Sequence, residues 1–330
     1  MKPVIFGCAG PTLSDVERRF FSEVQPAGFI LFGRNILSPI QLSALTTDLR
    51  VAVDRPNIPI LIDQEGGRVQ RMKAPHWRHY PPMAFFGAAA IHNPELALRA
   101  LELNCKMIAD DLRRVGINTN CMPLLDVPIE TADTIIGDRA FSSNAKLVYQ
   151  MGQLVIEAFL LAGIAPVAKH LPGHGRALVD SHNMLPIVSA LKEDLVETDF
   201  AACKAAHVVY DAIDPSMPAT LSRDIIQSVI RGTAGFSGLL MTDDLSMKAL
   251  SGSIGALANA SIQAGCDLVL HCNGDMAEMQ DVAAALDEAP SKLEIKLNKI
   301  IKDATSRPHT DRAVLEAVYD ASIAQIKTLK

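Results

Sequence analysis

The 330-residue sequence is poor in aromatic residues: Phe, Trp and Tyr make up 5% of it, with a single tryptophan. No extended stacking platform for a sugar polymer or single-stranded nucleic acid is therefore expected. There is no strongly basic block, and the formal net charge is −6. This argues against nucleic acid and anionic membranes as partners, since both favour concentrated Lys and Arg. No run of eighteen apolar residues occurs, so no membrane span is expected. The opening MKPVIFGCAG has too short an apolar stretch for a signal peptide and reads as a strand. A cytoplasmic location is the default expectation. The six cysteines include no C-x-x-C pair and mostly sit in apolar runs. They read as small core residues in a reducing compartment rather than as a disulfide framework.

What is present is apolar bulk in a regular alternation. Hydrophobic residues are 49% of the chain and charged residues 21%, enough to bury a large core. Short apolar runs read as strands: PVIFGCA near residue 5, then 28–33, 58–64, 118–127, 164–170, 211–219 (broken by prolines), 236–244 and 266–272. Between them lie helical patterns with start and stop signals. Ser14 is a candidate N-cap, a helix runs from about Ser38 to Val53, and Asn93, Pro94 and Gly116 bracket residues 93–116. A further helix covers 143–163, and two or three more close the chain from about 276 to 328. Strands apolar on both faces and alternating with helices call for a covered parallel sheet. The expected fold class is α/β, a single (β/α)8 TIM-type barrel over residues 1–330 with irregular third and sixth units. A doubly wound open sheet is the alternative.

In such a barrel the chemistry gathers at the carboxyl ends of the strands. The third run ends in DQEGGRVQR, with Asp63, Glu65, Arg68 and Arg71; the fourth ends in Asp126. The fifth ends in Lys169 and His170, and its loop carries His174, Asp180 and His182. The seventh ends in Asp243 and Asp244, while GDRAF supplies Asp138 and Arg139. His170 and His174 have the spacing of a helical zinc pair, but LPG between them breaks a helix, the motif's glutamate is missing, and nearby cations repel a metal. No P-loop, dinucleotide fingerprint or G-x-S-x-G elbow occurs. Carboxylates and arginines at one mouth suit the hydroxyls of a sugar ring and the carboxylate chemistry of glycoside hydrolysis.

IDQEGGRVQR, KHLPGHG followed by DSH, GDRAF and MTDDLSM, in that order along the chain, resemble the signature of glycoside hydrolase family 3. The resemblance is greatest to its β-N-acetylglucosaminidases of peptidoglycan recycling, the NagZ group. It runs from about residue 5 to 275, with Leu171 replacing a usual phenylalanine and RALVD varying a loop. The resemblance implies an exo-acting, retaining enzyme that removes N-acetylglucosamine from cell-wall fragments, especially those ending in 1,6-anhydro-N-acetylmuramic acid with or without peptide. It implies Asp243 as nucleophile and Asp180 with His182 as an acid–base dyad. Asp63, Arg71, Arg139, Lys169 and His170 would bind the sugar, and Met247 would line its subsite. No metal or other cofactor is implied, the partner is a saccharide or muropeptide, and a monomer is expected.

Adjacency alone does not choose between Asp243 and Asp244, which face opposite ways in an extended strand; the resemblance selects Asp243. Asp244 is then expected beside it or as a charge at the start of a helix formed by LSMKAL. Substrate-assisted attack by the acetamide is a further alternative that the resemblance disfavours. A histidine suits proton transfer at neutral pH, and His174 is expected to brace its turn or else to contact the substrate. The other functional readings are a phosphorylase using the same site and a non-enzymatic sugar sensor.

Overall fold

The chain's structure is a computed structural model, and it describes residues 1–177, 187–188, 195, 209–210, 213–247, 250–306 and 311–329. In chain order the elements are β1 (Lys2–Gly7), α1 (Asp15–Val24), β2 (Pro26–Leu31), α2 (Pro39–Ala52), β3 (Ile60–Ile62), β4 (Gln64–Gly66) and β5 (Val69–Gln70). Then come α3 (Met83–His92), α4 (Pro94–Arg114), β6 (Thr119–Asn120), α5 (Ala145–Leu161), β7 (Ala165–Pro166), β8 (Ile187–Val188) and β9 (Val209–Tyr210). The remainder are the π-helical α6 (Ile225–Thr233), β10 (Met241–Asp244), α7 (Ile254–Ala264), β11 (Leu268–His271), α8 (Met276–Ala285), α9 (Ser291–Thr305) and α10 (Arg312–Lys327).

Seven of the strands form one parallel sheet in the order β10-β11-β1-β2-β3-β6-β7. Its residues alternate between two apolar layers. Ile5, Ile30, Leu61, Cys121, Leu270 and Cys272 pack together on one face. Val4, Phe6, Phe29, Leu31, Ile60 and Val269 pack on the other with helix residues such as Phe21, Leu45 and Ile108. The sheet thus curls around a small inner core under a larger helical coat, as strands apolar on both faces require.

The capping signals operate as expected. Ser14 and Glu17 form a reciprocal capping box on α1, and the side chains of Ser38, Asn93 and Asn144 cap α2, α4 and α5. The segment read as a sixth strand differs. Its described part, 213–219, is mostly bends and turns, with a single β-bridge residue at Asp214. Pro215 and Pro218 have no N–H for a ladder, and Asp214 Oδ1 accepts from both the amide and the hydroxyl of Ser216, which favours a turn. Just upstream, β9 pairs with β8 in a separate parallel pair. The irregular third unit contains a small antiparallel hairpin, β4–β5, followed by the apolar helix α3, neither of which the periodicity indicates.

The C-terminal helix α10 is bound to α4 and to the segment after the hairpin by a mostly buried polar clasp. The Tyr80 hydroxyl donates to Asp111 Oδ2 at 2.5 Å, and Arg312 donates to Asp111 Oδ1 at 2.9 Å and Asp110 Oδ2 at 3.0 Å. Tyr319 donates to Asn104 at 2.9 Å, and Arg78 makes a two-pronged pair with Asp320 at 2.7 and 3.0 Å. Burial raises the Asp111 carboxyl above its usual range despite Tyr80 and Arg312, so loss of either partner exposes an uncompensated desolvation cost. We predict that Arg312→Met lowers the unfolding free energy by about 2 kcal/mol. Urea unfolding checks this, and a change below about 0.5 kcal/mol would mean the clasp adds no stability.

Candidate active site

The site begins where β3 stops. Asp63 leaves the sheet, and Gln64 is fixed by Asn120 on β6. The Gln64 amide donates to Asn120 Oδ1 at 3.0 Å, and Asn120 Nδ2 returns a bond to Gln64 O at 3.1 Å. The buried Gln64 side chain ties off the hairpin: Oε1 accepts from the amides of Arg71 (2.9 Å) and Met72 (3.0 Å), while Nε2 donates to Met72 O (3.1 Å). Gly66 has φ +100, and a Cβ there would lie 2.3 Å from Pro81 O. Glycine is therefore needed on both counts. The hairpin returns Arg71 to the side of Asp63, eight residues earlier.

Five charged side chains meet there. Lys169, after β7, places Nζ 2.6 Å from Asp63 Oδ1 and 2.6 Å from Glu65 Oε1. Glu65 also takes a two-pronged pair from Arg139, with both contacts at 2.9 Å, and Asp63 Oδ2 accepts from Arg71 at 3.2 Å. Burial would raise the Asp63 and Glu65 carboxyls, but the adjacent cations outweigh it and hold both below the usual carboxylate range. Burial would likewise lower Lys169 and Arg139, yet the carboxylates raise both. All four therefore stay charged at neutral pH. Arg71 Nε is buried without a hydrogen-bond partner among the described residues.

His170 follows Lys169 through a cis peptide bond. Its Nδ1 donates to Oδ2 of the fully buried Asp126 at 2.8 Å, which turns Nε2 into the ring's remaining polar atom. Asp126 Oδ1 accepts from the His174 amide at 2.7 Å, and the His174 ring lies 5.9 Å from that of His170. Burial, then the neighbouring His170, lowers the His174 ring below its usual value. His174 is thus a buried part of the turn, in keeping with a brace. Asp180 and His182 lie outside the described residues.

At the end of β10, Asp243 Oδ1 accepts the Asp244 amide at 2.8 Å. Asp244 is engaged elsewhere: Oδ1 accepts from the amides of Ser246 and Cys272, both at 3.1 Å, and Oδ2 accepts the Ser246 hydroxyl at 2.6 Å. The expectation that Asp244 starts a helix is corrected here. Residues 245–247 form a turn, and α7 begins at Ile254 under its own cap, Ser253. Both aspartates nevertheless contribute to the cavity wall, and the pairing of β10 with β11 shifts register between Met241 and Asp244.

These strand ends enclose one cavity of about 340 Å³, near the lower end of the range for small-molecule sites. Asp63, Arg71, Arg139, Lys169, His170, Asp243 and Met247 all line it. Every residue to which the family resemblance gives a role, and that falls within the described residues, thus lines this cavity. Two structural partners were not assigned to the site from sequence. Glu65 saturates Arg139 and Lys169, and Asp126 orients His170. The alternation that puts Glu65 on the same side as Asp63 was the available signal for the first; Asp126 had only its strand-end position. No group of three His, Cys, Asp or Glu side chains among the described residues could hold a metal ion.

A cavity of fixed donors and acceptors at the carboxyl ends of a curled parallel sheet is where an α/β enzyme carries its active site. The model of the glycosyl hydrolase family 3 N-terminal domain matches residues 7–303, and the chain belongs to this family of glycoside hydrolases. A β-hexosaminidase of Nitrosomonas eutropha is 37% identical over 82% of this chain and 80% of its own length. One of Thiobacillus denitrificans is 36% identical over 86% and 82%, respectively. The crystal structure of native NagZ from Neisseria gonorrhoeae superposes with a TM-score of 0.84 at 27% identity, covering 99% of this chain and 97% of that one. The family resemblance read from the strand-end motifs is borne out.

The charge cluster sets a pH dependence. Folded Asp63 and Glu65 titrate below their unfolded values, so their stabilisation is full above about pH 5 and is lost as the pH falls through the folded values. We predict that Glu65→Gln lowers the unfolding free energy by about 3 kcal/mol at pH 7, and that the deficit shrinks below about pH 4. Urea unfolding of both proteins at neutral and acid pH tests this; a deficit independent of pH would contradict an ionised Glu65.

Proposed function

We propose that the chain is a retaining exo-β-N-acetylglucosaminidase that releases terminal N-acetylglucosamine from peptidoglycan fragments. Fragments ending in 1,6-anhydro-N-acetylmuramic acid, with or without peptide, are its preferred class, in cytoplasmic recycling of the cell wall. The observation that carries this reading is the sharing of one small cavity by Asp243 and the Asp63–Glu65–Lys169–Arg71–Arg139 network. The naming of relatives such as those of Nitrosomonas and Thiobacillus as β-hexosaminidases supports the activity.

In this reading Asp63, Arg71, Arg139, Lys169 and His170 hold the sugar's polar groups, and Met247 packs beside it. Asp243 attacks the anomeric carbon and forms a glycosyl–enzyme. His182, supported by Asp180, donates a proton to the leaving oxygen and then takes one from the water that releases the sugar. A histidine is suited to both steps because its ordinary pKa is about 6.5. The same proposal includes a monomer, and a barrel in which an eighth strand joins the two sheet edges, β7 and β10.

The expected outcome is that Asp243→Ala abolishes release of 4-nitrophenol from its β-N-acetylglucosaminide, without added metal, and His182→Ala lowers it by about 10²–10⁴-fold. Trapping with a 2-fluoro or 5-fluoro sugar reagent should place the label on Asp243 by mass spectrometry. Full activity of either variant overturns the assignment. Formation of the sugar 1-phosphate in phosphate buffer would instead establish a phosphorylase.

A further inference from the structure

Phe32 follows β2, and its ring forms part of the cavity wall. Apart from His170 it is the one ring on that wall among the described residues. Its backbone is held firmly. The Phe32 amide donates to Asn35 Oδ1 at 2.9 Å, and the fully buried Asn35 donates to the carbonyls of Cys8 and Gly10 at 3.1 and 2.8 Å.

Two guanidinium groups lie over the ring. Arg34 has its Cζ 5.0 Å from the ring centroid, and Arg71 has its Cζ at 5.4 Å. Both are within the reach of about 6 Å over which an aromatic face attracts a cation. In other respects they differ. Arg34 is anchored by Nε to Cys8 O at 3.0 Å and by a second nitrogen to Cys272 O. Among the described residues Arg71 makes one side-chain hydrogen bond, from one terminal nitrogen to Asp63 at 3.2 Å, and its side chain stays 30% exposed. One such bond leaves the plane of a guanidinium free to turn about it. An aromatic face beneath the group restrains that plane, which an aliphatic side chain of the same bulk would not do.

We infer that Phe32 is a positioning residue: it holds the Arg71 guanidinium so that the terminal nitrogen not used by Asp63 meets an oxygen of the bound sugar. This rests on the proposed glycosidase reading, and it adds a residue outside the charged strand-end set. Removing the ring weakens substrate binding through Arg71, while the reacting carboxylate at the end of β10 is untouched.

The test is steady-state hydrolysis of 4-nitrophenyl N-acetyl-β-D-glucosaminide by the wild type, Phe32→Leu, Phe32→Tyr, Arg71→Met and the Phe32→Leu/Arg71→Met double variant. Phe32→Leu should raise KM about tenfold, equivalent to about 1.4 kcal/mol, with kcat kept within about twofold. Phe32→Tyr, which keeps the ring face, should hold KM within about twofold of the wild type. In the Arg71→Met background, Phe32→Leu should change kcat/KM by less than about twofold, since the pair then no longer exists. An unchanged KM in Phe32→Leu, no retention of KM by Phe32→Tyr, or an equal loss in both backgrounds overturns the inference. If circular dichroism finds Phe32→Leu unfolded, Phe32→Met takes its place in the same comparisons. An inactive wild type overturns the glycosidase reading and this inference with it, whereas an active wild type insensitive to Phe32 overturns this inference alone.

Discussion

The buried ammonium of Lys169 is the contact on which the site depends. It lies between Asp63 and Glu65, 106 and 104 positions earlier in the chain, at 2.6 Å from each. A charge this far from water is tolerated when it is paired and fully hydrogen-bonded. Lys169 in turn makes it possible for two carboxylates, two residues apart, to stay ionised side by side. Arg139 completes the set by taking both oxygens of Glu65. The outcome is a group of side chains whose charges are settled before any ligand arrives, so binding need not reorganise them. Preorganisation of this kind is where an enzyme gains most from electrostatics.

Around that group the supports are largely neutral amides. Gln64 and Asn120 bond to backbone atoms, as does Gln70, whose Nε2 donates to the carbonyls of Met72 and Arg78 and whose Oε1 accepts the Tyr80 amide. Side-chain amides both donate and accept, so each can close two strands of irregular backbone without adding charge. The hairpin consequently holds its shape with only two short strands, and its far end is carried by the α10 clasp through Arg78 and Tyr80.

How far this was legible varies with the physical cause. β1, β2 and β3 could be read because a parallel strand covered on both faces is a continuous apolar run. The helices α1, α2, α4 and α5 could be read because their caps are local. The 211–219 segment could not be placed from its apolar residues, since its prolines and Asp214 decide for a turn. The hairpin was hidden because glutamine amides, rather than a turn signature, define it. In the site, strand-end position pointed to Asp63, Glu65, Arg71, Asp126, Lys169 and His170, and the family motifs supplied the sugar-binding roles and Arg139, but neither gave the pairing among them. Glu65 and Asp126 matter through contacts with residues 74 and 44 positions away, and no local pattern encodes such contacts.

The Arg34 and Asp244 tethers both end on Cys272, one at its carbonyl and one at its amide. Cys272 is brought there by the pairing of β1 with β11, in which Val4 lies opposite Val269. That register joins positions 265 residues apart. Closing so long a loop costs entropy before any contact rewards it. The local strand–helix units close short loops, whereas the rim that holds Arg34 and Asp244 in place depends on the longest-range pairing in the seven-stranded sheet.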